Sequence, residues 1–322
     1  MLDADIEVDR RNFTVRAALR VAPGERLALF GPSGAGKTTV LETIAGLVPP
    51  RRARIELAGR LLTAAGTPGI RRVAVPPWQR RVGLLRQEPG LFPHLTVRDN
   101  LRYSRRAASD LELTEVAAAL GIGDLLSAHP ARLSGGQAHR VALGRLLLAR
   151  CEALLLDEPY TGLDAGLRRT LTELVVRLVA DRAVPAILVA HELDQAQAFA
   201  GTLMVLDQGA VLQAGTPDEV VLRPASQRVA RLVGYGAFVP VSGGLTAGVH
   251  PERVVRGDHP DRGIVLTGLV ADVLPAGALW QARLDVSGTT VTARLAEPEP
   301  AGTKLTVTAL DPPLFGSEGT LA

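Results

Sequence analysis

The 322-residue chain has a single cysteine, Cys151, which excludes an internal disulfide and fits a reducing compartment. Beside the apolar run Leu154-Leu155-Leu156, Cys151 reads as a packed small residue rather than a nucleophile. No apolar run reaches the ~18 residues that a membrane-spanning helix needs, so work at a membrane would require docking through another protein. The opening Met1-Leu2-Asp3-Ala4-Asp5 is acidic and has no apolar core behind it, so no secretory signal is expected. Charge of one sign is gathered nowhere: 36 basic residues face 33 acidic ones, a net charge of +3, and this argues against nucleic acid as a partner. Heptads and a basic arm are absent as well. Lysine is scarcest among the basic residues, with only Lys37 and Lys304 beside the arginines. A hydrophobic content of 47% and this length allow a large core and two domains.

One of the two lysines stands in the most informative stretch, Gly31-Pro32-Ser33-Gly34-Ala35-Gly36-Lys37-Thr38-Thr39. It fills the G-x4-G-K-[ST] pattern between a strand-like run, Arg26 to Phe30, and a helix-like run, Val40 to Leu47. Glycines let backbone N–H groups turn inward around phosphate oxygens, and the following helix N-terminus adds partial positive charge. Lys37 would neutralise the terminal phosphates and Thr38 would ligate Mg²⁺. A compact ammonium suits that position where a planar guanidinium does not.

Along the chain, Phe13, Val15, Ala17, Leu19 and Val21 alternate as a half-buried strand leading into the turn Pro23-Gly24-Glu25. Strands are expected around 55–57, 82–85, 154–156 and 186–189. Helices are expected over 97–106, 113–120, 133–150, 165–181 and 193–200, and a Pro- and Arg-rich connection over 67–81. This alternation argues a mainly parallel, helix-covered sheet. Beyond about residue 233 a glycine-rich link leads to short alternating runs at 264–266, 282–286, 290–295 and 304–308, read as a small all-β domain.

Leu154-Leu155-Leu156-Asp157-Glu158-Pro159 sets two carboxylates at the end of a buried strand. Asp157 would hold Mg²⁺ and Glu158 would orient and deprotonate an attacking water. With Leu133-Ser134-Gly135-Gly136-Gln137 about twenty residues earlier, Gln87 after one strand, Asp164 after Glu158 and His191 after another strand, residues 1–233 resemble the ATP-binding subunits of ABC transporters. The resemblance implies an α/β P-loop NTPase cassette: a mainly parallel sheet, a helical subdomain over about 88–150 and an antiparallel β subdomain. It implies an ATPase that uses ATP and Mg²⁺ and works as a homodimer. Ser134, Gly135, Gly136 and Gln137 would bind the γ-phosphate of ATP held by the second copy, as a serine-capped helix N-terminus can. Gln87 would contact metal and water, with Thr38 and Asp157 as the other metal ligands; His191 would position the water, and Asp164 would contact the second copy. The other five histidines are read as surface or packing residues.

This sequence departs from the family at Gly162, where serine or alanine is common, and at Ala138-His139, which replaces a more polar pair with little effect expected. Many relatives stack adenine on an aromatic near the first strand; the nearest here, Phe13, is read as a core residue. Pro76-Pro77-Trp78-Gln79-Arg80-Arg81 with Leu91-Phe92-Pro93-His94 is similar to importer subunits, most of all those for molybdate and related oxyanions. Sulfate, ferric iron, polyamine and sugar importers, and a soluble ATPase of the same superfamily, are the alternatives. That branch implies transmembrane permease subunits, a solute-binding protein reached through them, and a place on the cytoplasmic face of the plasma membrane. It also implies a TOBE/Mop-like, OB-like β-domain at 234–322, opened here by His250-Pro251-Glu252 with histidine in place of arginine. Where oxyanion-binding relatives carry Ser-x-Arg-Asn, this chain has Asp261-Arg262-Gly263, and the added carboxylate would repel a dianion.

Overall fold

The computed structural model describes residues 1–322 except 67, 68, 70 and 105–108. The start of the expected 67–81 connection and the end of the expected 97–106 helix therefore lie outside the described residues. Two compact units make up the chain, Met1–Pro217 and Asp218–Ala322.

The first unit opens with a strand that the acidic reading of the N-terminus passed over. In β1 (Leu2–Asp9) the residues Leu2, Ala4, Ile6 and Val8 are buried, while the carboxylates alternate with them. β2 (Thr14–Val21) pairs antiparallel to it and sets Arg20 opposite Asp3 and Arg16 opposite Glu7. The acidic run is thus the polar face of an amphipathic strand.

β3 (Arg26–Phe30) leads to α1 (Lys37–Ala45), followed by the meander β4 (Arg52–Leu57), β5 (Arg60–Ala65) and β6 (Val73–Ala74), and then β7 (Val82–Leu85). Three helices follow, α2 (Val97–Leu101), α3 (Asp110–Ala119) and α4 (Gly135–Leu148). The chain then alternates through β8 (Ala153–Asp157), α5 (Ala165–Arg182), β9 (Ala186–Ala190), α6 (Leu193–Phe199), β10 (Thr202–Asp207) and β11 (Ala210–Gly215). One sheet joins all eleven strands in the order β6-β5-β4-β1-β2-β11-β10-β3-β9-β8-β7. The end from β10 to β7 is parallel and the end from β6 to β2 antiparallel. Every residue of β8 and β9 is buried, as in strands covered on both faces, so their chemistry is confined to their C-terminal ends.

Arg80 holds the meander to α1. It is 4% exposed, donates to Thr63 Oγ1 at 2.9 Å and to Val75 O at 2.8 Å, and reaches the last turn of α1 at Ile44 O, 2.9 Å. A cation at a helix C-terminus meets its partial negative charge, which offsets the desolvation that pushes the guanidinium pKa down. Among the described residues no helix is long and apolar enough to cross a membrane.

In the second unit the division falls before the 233/234 boundary expected from composition. α7 (Pro217–Leu222) begins at the division, and α8 (Gln227–Leu232) lies within the unit. Tyr235 Oη donates to Val221 O at 2.9 Å, Gln227 N to Gly319 O at 2.8 Å and Leu321 N to Ala225 O at 3.1 Å, so this helical stretch is fastened to the β-domain and its C-terminal tail. The stretch expected as a glycine-rich link holds β12 (Ala237–Pro240) and β13 (Thr246–Val249), which bury Ala237, Val239, Ala247 and Val249. Further on come β14 (Val254–Arg256), β15 (Gly263–Ala276), β16 (Leu279–Val286), β17 (Thr289–Leu295), β18 (Lys304–Leu310) and β19 (Leu314–Phe315). They form two antiparallel sheets, β12-β13-β19 and β14-β18-β15-β16-β17, around Leu266, Val270, Leu284, Val291 and Val307. Gly263 is required by contact: a Cβ there would lie 1.9 Å from Ala309 O.

Candidate nucleotide site

The buried β3 ends at Gly31, whose φ is +150° and where a Cβ would stand 1.9 Å from Leu206 O, so only glycine lets the chain leave the sheet here. The loop then turns around its own lysine. Lys37 is 6% exposed and its Nζ donates to Gly31 O at 2.7 Å and Pro32 O at 2.9 Å, which leaves one of its three donors for a ligand. Burial lowers the ammonium pKa, and the charges of Glu158 and Asp157 work against that. Ala35 N donates to Pro32 O at 3.2 Å, and Ala35 O accepts from Gly209 N at 3.0 Å, which ties the loop to the β10–β11 turn. A cavity of about 430 Å³ opens above the loop, lined by Ser33, Gly34, Gly36, Lys37, Thr38 and Thr39.

At the end of β8, Asp157 is 2% exposed and accepts from Thr38 Oγ1 at 3.2 Å. Burial is the main cause that raises its carboxyl pKa; the Thr38 hydrogen bond opposes it, and the charges of Glu158 and Glu42 add to it. A carboxylate with a raised folded-state pKa destabilises the fold at neutral pH, and that penalty disappears as pH falls through the folded pKa. Asp157→Asn should therefore raise the thermal midpoint at pH 7. Calorimetry checks this, and a lowered midpoint would show that Asp157 stabilises the loop instead.

Glu158 lines the same cavity in a left-handed backbone conformation, φ +49°, which a non-glycine residue adopts at some cost and which is concentrated at functional sites. His191, just past β9, places Nδ1 3.6 Å from Glu158 Oε2. Gln87 lines the cavity from the loop after β7. Lys37, Thr38, Gln87, Asp157, Glu158 and His191 are thus brought together from four strand ends.

Ser134, Gly135, Gly136, Gln137 and Asp164 do not line this cavity. Ser134 caps α4 in a reciprocal box, accepting from Gln137 N at 3.2 Å while Gln137 Oε1 accepts from Ser134 N at 2.8 Å. Asp164 caps α5 by accepting from Leu167 N at 3.0 Å. His139, expected to matter little, is 5% exposed with Nε2 unpartnered; burial lowers its pKa, opposed by the backbone of Pro159 and Gln87. It packs α4 onto the two segments that carry the cavity's Gln87 and Glu158.

The β1–β2 turn supplies a wall that sequence reasoning missed. Arg10, Arg11, Asn12 and Phe13 line the cavity, and Arg10 Nε donates to Thr39 Oγ1 at 2.9 Å. Phe13 lies outside β2, half-buried: it packs on the core and also faces the cavity, rather than serving the core alone. The sequence carried no signal of this, because Phe13 continues the alternation of Val15, Ala17, Leu19 and Val21, and only the structure starts β2 after it, at Thr14.

A loop that offers backbone N–H groups to an anion, next to a buried aspartate on a parallel sheet, defines this first unit as a P-loop nucleotide-binding fold. Residues 15–161 match the ABC transporter family. The chain is 37% identical over 247 residues to the molybdenum import ATP-binding protein ModC of Paramagnetospirillum magneticum, covering 74% of this chain and 67% of that one. It is 38% identical over 233 residues to the Fe(3+) ions import ATP-binding protein FbpC of Mesorhizobium japonicum, covering 70% of this chain. That match spans 63% of the iron-import protein, under two thirds of its length. A solved ATP-binding subunit of an ABC transporter superposes with a TM-score of 0.59 at 26% identity, over 73% of this chain and 95% of that one. The chain belongs to the ABC transporter family.

Proposed function

We propose that this protein is the ATP-hydrolysing subunit of an ABC importer. The observation that carries the reading is the meeting of Glu158 and His191 at 3.6 Å above a phosphate loop whose Lys37 keeps a free donor. A module that only bound nucleotide would need neither residue. ATP would seat its phosphates on Gly31 to Thr39, with Phe13 beside the adenine. Glu158 would take the proton of the attacking water, His191 would hold the water and γ-phosphate, and Gln87 would contact both metal and water.

The donor set fits Mg²⁺. Thr38 Oγ1 and Asp157 Oδ1 are hard oxygen ligands 3.2 Å apart, and Mg²⁺ favours a few such ligands completed by water and phosphate. When bound it would offset phosphate charge.

Two copies would pair head to tail, with the α4 N-terminus at Ser134 to Gln137 facing the γ-phosphate on the second copy and Asp164 in the contact. Transmembrane permease subunits, with a solute-binding protein behind them, would complete the importer at the cytoplasmic face of the membrane. Trp78 and Tyr103 are 81% and 57% exposed, and with Arg86 and Glu88 they line a second cavity of about 580 Å³. Residues 86 and 88 flank Gln87, so a permease segment seated there would act on the nucleotide cavity through a single loop.

For the solute, molybdate or a related oxyanion is the reading adopted, supported by the molybdenum-import relative; the iron-import relative favours ferric iron as the second. Mg²⁺-dependent hydrolysis by the purified chain tests the ATPase, and the membrane subunits that copurify test the importer. Absence of hydrolysis with ATP bound would overturn the first.

The second unit would stabilise the dimer or regulate it rather than sense the anion. Asp261 and Arg262 lie exposed on a turn closed by Arg262 N donating to His259 O at 3.0 Å, and Gly263 has no room for a donor side chain. Titration of the full chain with molybdate, tungstate and sulfate should show no micromolar binding. Such binding would return this domain to solute sensing.

A further inference from the structure

The N-cap residues of α5 and α6 behave differently. Asp164 caps its helix, whereas Glu192, at the N-cap of α6, makes no capping hydrogen bond; the side chains that cap readily are the shorter Asp, Asn, Ser and Thr. Glu192 Oε2 accepts instead from Arg168 Nη1 and from Gln195 Nε2, both at 2.6 Å. Its other oxygen lies 3.9 Å from His191 Nε2, on the far side of the imidazole from Glu158.

Arg168 extends the connection away from the cavity. Its Nη2 donates to Leu163 O at 3.4 Å, in the segment that ends at Asp164, and its backbone N donates to Asp164 O at 3.0 Å in the first turn of α5. The buried Nε has no partner, so the two Nη contacts hold the guanidinium where it is. A chain of contacts thus runs from the 160–164 segment through Arg168 and Glu192 to His191 and Glu158.

We propose that Arg168 and Glu192 are positioning residues that tie the segment ending at Asp164 to His191, so that His191 is set for hydrolysis only when that segment is in place. This rests on the hydrolysis reading given above. A plain surface ion pair is the competing explanation: the two side chains are 31% and 46% exposed, and pairs of that kind contribute little to stability. The two explanations separate in kinetics. A structural pair would move neither rate nor affinity, whereas a link that aims His191 would lower kcat without touching the phosphate loop.

Steady-state ATP hydrolysis by the full chain, with Mg²⁺ present, tests this for Glu192→Ala, Arg168→Ala and the double variant. Misaiming a catalytic group from a distance can cost up to ~100-fold, so each single variant should lose roughly tenfold in kcat. KM for ATP should stay within about twofold, since the loop is untouched. The double variant should lose no more than either single one, because both break the same link. Glu173→Ala, which removes an exposed pair with Arg169 on α5, should match the parent. If either single variant unfolds, Glu192→Gln, which still accepts from Arg168, should lie between parent and Glu192→Ala in a folded background. Parent-like kcat in Glu192→Ala, losses that multiply in the double variant, or a rise in KM matching the fall in kcat would each overturn the proposal. A parent chain that does not hydrolyse ATP would fail the earlier reading, and this one with it, an outcome distinct from the other three.

Discussion

Glu158→Gln should bind ATP and fail to turn it over. Glutamine keeps the volume of the side chain and a carbonyl oxygen toward His191, but it cannot accept a proton from water at neutral pH. Loss of a general base costs ~100- to 10,000-fold, so phosphate release should fall to the edge of detection. Binding should survive because Lys37, with its bonds to Gly31 O and Pro32 O, and the Thr38–Asp157 pair are unchanged. One like charge beside Asp157 would also be gone, which favours the ionised, metal-holding form of that aspartate. With binding intact and hydrolysis stopped, the ATP-bound dimer should accumulate, visible as a doubled mass in light scattering with ATP and Mg²⁺. A variant hydrolysing near the parent rate would remove Glu158 from the chemistry.

Lys37→Ala should fail one step earlier, at binding. The ammonium is nearly sealed from solvent, so its charge is little screened, and its one free donor faces the cavity. The substitution has a second cost, since the carbonyls of Gly31 and Pro32 lose the donor around which the loop turns. A hydrogen bond to a charged group is worth about 1.5–3 kcal/mol, so ATP affinity should fall roughly 10- to 100-fold. Calorimetric titration with ATP measures this, and equal affinity in variant and parent would contradict the assigned role.

Part of this site is legible in the sequence alone. The phosphate loop, the carboxylate pair and the alternation of strand and helix rest on local chemistry: glycines where the backbone must turn, apolar runs where a strand is covered on both faces, and lysine in a chain that otherwise uses arginine. Other features were present in the residues but masked by a stronger cue. The acidic residues of β1 concealed a period-two strand, and glycines at 234–248 concealed β12 and β13, because composition averages over the alternation that pairing requires.

The sequence by itself determined which groups could do the chemistry, since the side-chain types and their offsets within one loop or strand end are local properties. Only the tertiary structure decided which of them meet. Three strand ends carry Lys37, Gln87 and Glu158 to one cavity and a fourth sets His191 beside Glu158, because β3, β9, β8 and β7 run parallel side by side, an order that follows from sheet crossovers and not from distance along the chain. It likewise decided that Ser134 and Asp164 cap helices outside that cavity, that Phe13 and Arg10 wall it, and that Glu192 meets Arg168 of α5. Packing over long sequence separations sets these relations, and no short stretch of residues encodes them.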